Sequence, residues 1–333
     1  MKKEENRRFV LFDTEVEYAL LMTEFLRSHK ELPWEIHTYT DTEHLLREEG
    51  EAIALLVVAE SAYGEELLQL KPSYLVVLNE TGLFKNQAYR NVDKYQPAEE
   101  VLKELLEVYM ETMEGDISWF GTRYQTKFVG IYSPVRRCLQ STFAMTMSQI
   151  LASEYKTLYL NFEHYTGMDE LCADHDTKDL ADLLYFLSTD REKFRMRLQM
   201  MVLQKGNLHY IPPMKCGQNL LSVTPAEWMS LFHKIESSGA YEYVILDLSE
   251  SMQGLFDILR ICRRVYTLTK EDRQARCKLL QYEQLLGLEE YEDVLEKTSK
   301  CTLPHFHKLP EELEQYTKGD LADYVRRQIA EIG

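Results

Sequence analysis

Ten consecutive residues carry the densest chemistry in this chain: Ser133, Pro134, Val135, Arg136, Arg137, Cys138, Leu139, Gln140, Ser141 and Thr142. They follow an apolar run at 128–132 and precede Phe143, Met147, Ile150 and Leu151 at helical spacing. A strand, a loop and a helix in this order frame a phosphate-binding loop. Such a loop needs glycines, so that backbone N–H groups close around the phosphates, and a lysine to reach the outer oxygens. Here Arg136, Arg137 and Leu139 stand where glycine is expected, and Gln140 stands where the lysine belongs. Ser141 and Thr142 keep the hydroxyl positions. Gln140 donates hydrogen bonds but has no charge, so a charge-assisted phosphate contact is lost. An arginine in the loop binds phosphate well, yet its bulk at a glycine position obstructs close backbone approach. The expectation is a frame retained without hydrolysis.

Other constellations are weaker. Cys301, His305 and His307 supply three candidate metal ligands where a structural zinc takes four, so surface histidines are the expectation. No nucleophile–base pair of hydrolase type stands out.

The elements around the loop read as α/β. Strands are expected at 9–12, 34–39, 52–59, 74–78 and 91–95, with helices between them and a last helix at 98–110 after Pro97. The continuous apolar run at 52–59 marks a strand buried on both faces. Residues 111–126, with two glycines and no helical stripe, read as a linker holding Trp119 and Phe120. From 127 the alternation resumes. Strands are expected at 156–162, 209–211, 243–248, 265–269 and 303–306. Helices are expected around Leu180–Leu187, from Thr224 to 237, over 271–286 and from Asp320 onward. Met196, Met200, Met201 and Met214 read as core filling. Such alternation predicts two doubly wound domains with parallel sheets, at 1–110 and 127–333.

The loop resembles the deviant phosphate-binding loop of MinD/ParA-type ATPases, K-G-G-x-G-K-[ST]. Val135 takes the first lysine position, Arg136 and Arg137 the two glycines, Cys138 the variable place, Leu139 the third glycine, Gln140 the second lysine and Ser141 the magnesium-binding hydroxyl. The stretch KTLYLNFEHYTGM is similar to that family's second strand and first switch, which puts Glu163 at a switch position. YEYVILDLSESM is similar to the strand entering the second switch, with Asp247 at its acidic position. In an active relative such acids orient water or magnesium; without a phosphate cradle they are expected to cap loops.

The first part resembles a response-regulator receiver domain, a flavodoxin-like fold. The resemblance places Asp13 at the acidic magnesium position, Glu60 near the phosphoacceptor, Thr81 at the hydroxyl position and Lys94 at the lysine. Glutamate does not replace aspartate as acceptor, though it imitates a charged state. Solvated strand-end residues are the plainer expectation for Asp13, Glu60 and Lys94. Together the parts are similar to the CpaE-like branch. The resemblance implies a cytoplasmic interaction, regulatory or positioning factor with protein partners, such as a pilus or secretion complex. With the loop altered, the expectation is a pseudo-ATPase with no cofactor. The alternative is an ATPase that binds ATP with magnesium and forms a homodimer.

Charge agrees with a protein partner. Asp+Glu 55 against Lys+Arg 38 leaves a formal net charge of −17, which disfavours nucleic acid and anionic lipid. The six cysteines form no C-x-x-C pair and read as reduced thiols. Acidic residues Asp13, Glu15 and Glu17 interrupt any leader-like apolar run near the start, and no apolar run is long enough to span a bilayer. The last helix carries Leu321, Tyr324, Val325, Ile329 and Ile332 on one side but few basic residues, so packing on its own domain is expected and any membrane association is indirect.

Overall fold

The computed structural model describes residues 8–29, 32, 34–47, 52–82, 89–112, 124–172, 178–189, 191–288, 290–306 and 308–329. The chain divides into two compact units, Met1–Gly121 and Thr122–Gly333.

In the first unit, β1 (Arg8–Phe12), β2 (Glu35–Tyr39), β3 (Ile53–Ala59), β4 (Tyr74–Asn79) and β5 (Arg90–Asp93) form one parallel sheet in the order β2-β1-β3-β4-β5. Helices α1 (Val16–Ser28), α2 (Thr42–Arg47) and α3 (Ala98–Thr112) lie between or after the strands. Every residue of β3 is buried, as its unbroken apolar run requires. Alternate residues serve the two faces. Val10 and Phe12 join Leu56, Val58 and Val77 in one core cluster. Phe9 instead meets Trp34, whose ring meets Tyr109 of α3. Asp41 caps α2, accepting from the His44 N–H at 3.0 Å.

The second unit holds β6 (Lys127–Tyr132), α4 (Gln140–Leu151), β7 (Thr157–Asn161), α5 (Met168–Cys172), α6 (Leu180–Tyr185), α7 (Arg191–Met201), β8 (Leu203–Lys205), β9 (Leu208–Tyr210), α8 (Pro225–Ser238), β10 (Tyr243–Asp247), α9 (Leu255–Ile261), β11 (Arg264–Thr269), α10 (Arg273–Leu288), α11 (Glu292–Glu296), β12 (Thr298–Thr302) and α12 (Gly319–Ile329). Its sheet runs β12-β11-β6-β10-β7-β9-β8, parallel except for the β8–β9 pair. One face buries Phe128, Leu160, Val244 and Leu246 with Trp228 and Phe232 of α8. The other buries Val129, Ile131, Tyr159 and Ile245 with Phe143, Met147 and Leu151 of α4. Thr224 and Glu227 form a capping box at the start of α8, and Pro225 supplies the first turn without an N–H to satisfy. The four methionines at 196, 200, 201 and 214 are buried, as core filling predicts.

Several expectations are corrected. The strand expected at 303–306 is irregular; the edge strand is β12, one position group earlier. Its residues TSKCT bury only Cys301 fully, so no apolar period announces it, and Pro304 disfavours pairing just beyond. The strand expected at 209–211 is β9, but its antiparallel partner β8 is not among the expected elements. Its signal is Gly206-Asn207, where Gly206 takes φ +58 between the two short strands. The expected linker is shorter at both ends. Helix α3 continues through Thr112, and residues 124–126 are already tied to the second unit. The Tyr124 N–H donates to Gly239 O at 3.0 Å and Thr126 Oγ1 donates to Tyr241 O at 2.7 Å. Trp119 and Phe120 lie outside the described residues. No helix among the described residues is long and apolar enough to cross a membrane. α12 packs Leu321 and Val325 into the same core face as α4.

Candidate functional site

The loop between β6 and α4 takes the backbone path that its sequence argues against. Arg136 has φ +65, Arg137 +50 and Leu139 +60. These are the three positions where glycine was expected. Left-handed backbone costs an L-residue about 1 kcal/mol or more. The surrounding fold, with the loop held between a buried strand and a buried helix, therefore imposes the conformation on side chains that oppose it.

Ser133 ties the start of the loop to β11 and to the loop's own backbone. Ser133 Oγ donates to Leu268 O at 2.6 Å and accepts from the N–H groups of Val135 at 3.1 Å and Arg136 at 3.3 Å. The buried Cys138 thiol, pushed up by that burial, also points at Ser133 Oγ at 3.1 Å. Two N–H groups at the start of the loop are thus engaged within it.

Gln140 occupies the lysine position and reaches inward. Its Nε2 donates to Asp247 Oδ1 at 2.6 Å and to Leu248 O at 2.8 Å, and lies 3.4 Å from Glu163 Oε1. Asp247, at the end of β10, is fully buried. Tyr159 OH donates to its Oδ2 at 2.9 Å, with Asn161 Nδ2 at 3.4 Å. Burial raises the Asp247 pKa, opposed by hydrogen bonds from Gln140, Ser141 and Tyr159. Glu163 follows β7, its N–H held by Asn161 Oδ1 at 2.8 Å. Burial first, then the Asp247 charge, lift its pKa to about 7, while Arg136 pulls it down. The structure thus brings Gln140, Ser141, Glu163 and Asp247 together. The loop-capping expectation for Asp247 is corrected: it is a buried acceptor for side chains of two elements, α4 and β7. Thr142 lies in the first turn of α4 and Pro134 in the loop before it.

Tyr159 and Asn161 are not among the residues singled out from sequence. Tyr159 and Asn161 stand two apart on β7, so they share a face, and the parallel register sets Asp247 opposite Asn161. That adjacency is set by the sheet order.

A neutral amide stands in the lysine's place, hydrogen-bonded to both an acid and a carbonyl, and two loop N–H groups are engaged by Ser133.

In the first unit, strand ends converge at the switch between β1 and β3. The expectation of solvated Asp13 and Lys94 is corrected: they are 0% and 1% exposed. Lys94 Nζ meets Asp13 Oδ2 at 2.8 Å, Glu15 Oε2 at 3.0 Å and Glu80 Oε1 at 2.7 Å. Burial alone pulls the ammonium pKa down, but hydrogen bonds to Asp13, Glu80 and Glu15 overcome this and raise it. An ion this deep survives only with such partners. Glu60 is committed too. It accepts from Thr81 Oγ1 at 2.8 Å and from the N–H groups of Glu80 at 2.8 Å and Thr81 at 2.9 Å. The Thr81 hydroxyl first, with those N–H groups, lowers its pKa against a smaller desolvation. Among the described residues no group of three or more His, Cys, Asp or Glu is arranged to hold a metal ion.

The fold and the loop define a mixed α/β protein with parallel sheets, its second sheet built on a strand–loop–helix phosphate frame. No family model and no curated protein matches the sequence. Solved structures do. The chain is similar to a ParA family ATPase from Chlorobium tepidum TLS at 21% identity, covering 53% of this chain and 73% of that one, with a TM-score of 0.44. It is similar to a plasmid partition protein from Borrelia burgdorferi B31 bound to AMPPNP at 14% identity, covering 62% and 98%, TM-score 0.45. It is also similar to MinD in a MinC:MinD cell division protein complex from Aquifex aeolicus at 12% identity, covering 53% and 68%, TM-score 0.40.

Proposed function

We propose that this chain is a non-catalytic relative of MinD/ParA-type ATPases: a cytoplasmic pseudo-ATPase acting as an interaction, regulatory or positioning factor. The observation that carries this reading is Gln140, whose amide is used up on Asp247 and Leu248 O. A phosphate tail would meet no lysine there, and the amide donors of Gln140 are already engaged within the protein. The first unit acts, in this reading, as a degenerate receiver-like domain in which Glu60 permanently engages Thr81. Partner proteins then read a fixed surface, and the CpaE-like resemblance suggests a pilus or secretion assembly as that partner.

One observation favours the alternative, an ATP-binding ATPase that dimerises with nucleotide and localises a partner complex. The backbone at Arg136, Arg137 and Leu139 already has the glycine-like turn. Calorimetric titration of the full chain with magnesium-ATP separates the two. The pseudo-ATPase reading expects no tight magnesium-ATP binding within the loop, and tight binding that persists when the exposed Lys270 and Lys278 are replaced by alanine refutes it. Gln140→Lys alone is expected to leave binding absent, because three bulky side chains still crowd the loop. Gln140→Lys together with glycine at Arg136, Arg137 and Leu139 is expected to restore measurable binding.

A further inference from the structure

The outer side of the same loop differs from its interior. Arg136, Arg137, Lys270 and Lys278 line a surface hollow of about 360 Å³ with Val135, Asp272, Gln274 and Ala275. Four cations face one carboxylate here, in a chain of net charge −17. Arg136 is engaged by Glu250, and Lys278 Nζ reaches Val135 O at 3.4 Å. Arg137 and Lys270 have no carboxylate partner among the described residues. Asp272 is turned to the start of α10, where it accepts from the Ala275 N–H at 2.9 Å. The two arginines are presented by a backbone held in a left-handed turn, and strain of this kind gathers at ligand clamps.

We propose that this hollow binds a compact oligophosphate anion on the outside of the loop, held by Arg137, Lys270 and Lys278. This goes beyond the pseudo-ATPase reading and does not need it. Size and charge choose the ligand class. The volume lies at the small end of small-molecule sites. A compact anion feels the local cations, because salt screens charges beyond about 10 Å at 0.1 M. A polyanionic strand would extend over the acidic remainder of the protein and be repelled. Guanidinium and ammonium groups together match phosphate oxygens with both forked and point contacts.

The probe is inorganic tripolyphosphate without magnesium, titrated calorimetrically into the full-length chain at low and moderate salt. Saturable one-to-one binding is expected, weakening as salt rises. Lys270→Ala/Lys278→Ala is expected to weaken it about tenfold or more, since two charge-assisted contacts go. Lys318→Ala, an exposed lysine elsewhere, is expected to leave it unchanged. Circular dichroism melting establishes that each variant is folded. Absence of saturable binding, or equal weakening by Lys318→Ala, overturns the proposal. So does a hexaglutamate peptide that binds the hollow more tightly than tripolyphosphate, because it assigns the site to acidic protein. Binding of magnesium-ATP that survives Lys270→Ala/Lys278→Ala refutes the pseudo-ATPase reading and leaves the tripolyphosphate result standing on its own.

Discussion

Glu163 and Asp247 are two acids bridged by one neutral amide, with no cation at hydrogen-bond distance from either among the described residues. This has a consequence for stability. The unfolded Glu163 titrates near 4.5 and the folded one at about 7. Between those values the folded protein binds more protons than the unfolded chain, so stability falls as pH rises through that window. The contribution is fully present below pH 4.5 and lost above pH 7. Glu163 is partly open to solvent, so screening reduces the effect to about 1 kcal/mol. Urea unfolding should therefore give Glu163→Gln and the parent similar stability near pH 4.5, and the variant the advantage at pH 8. Equal stability of the two at pH 8 counts against a strained Glu163–Asp247 pair. The same residue scale explains Lys94. Lysine is tolerated at 1% exposure because three carboxylates surround it.

At the scale of elements, the β6–α4 loop is where local preference and tertiary demand disagree. Ser133 ties its start to β11 through Leu268 O, and Phe143 N–H bonds Leu139 O at 2.8 Å to begin α4. Those anchors close the loop in a left-handed path whatever residues it holds. Relieving one site should stabilise the unit. Arg137 is exposed and is not buried in any core cluster, so Arg137→Gly removes strain with little packing loss. A gain of about 1 kcal/mol is expected, read as a melting shift of about 2–4 °C for a unit of this size. A lower melting temperature would mean that the Arg137 side chain contributes more than its backbone costs. α12 belongs to the same scale. Its apolar side lies against α4, with Tyr324 edge-on to Phe143 at 6.5 Å, so its amphipathic pattern is already used.

At the scale of the whole molecule, the two units share a logic. Each places polar residues at the carboxyl ends of its central parallel strands, and each then satisfies them internally. A protein built this way should not change assembly with nucleotide. Sedimentation velocity with and without magnesium-ATP is expected to give the same distribution. A nucleotide-dependent dimer would restore the ATPase alternative.

Periodicity along the chain was enough for the alternating elements, the buried β3, the box at Thr224 and the strand–loop–helix frame, because each depends on residues near one another in sequence. The resemblance to the K-G-G-x-G-K-[ST] pattern marks Arg136, Arg137 and Leu139 as glycine positions, and each takes a positive φ. Edge elements escaped periodicity. β12 and the β8–β9 hairpin are short, mostly polar, and stabilised by neighbours far along the chain. The partners of the site residues escaped it as well. Gln140 meets Asp247 across 107 positions and Lys94 meets Glu15 across 79. Such pairs arise from the order of strands in a sheet, which no local pattern encodes. The burial of Asp13 and Lys94 is the sharpest case. Charged residues at strand ends are ordinarily solvated, and only the convergence of three strand ends supplies enough opposite charge to hold them inside.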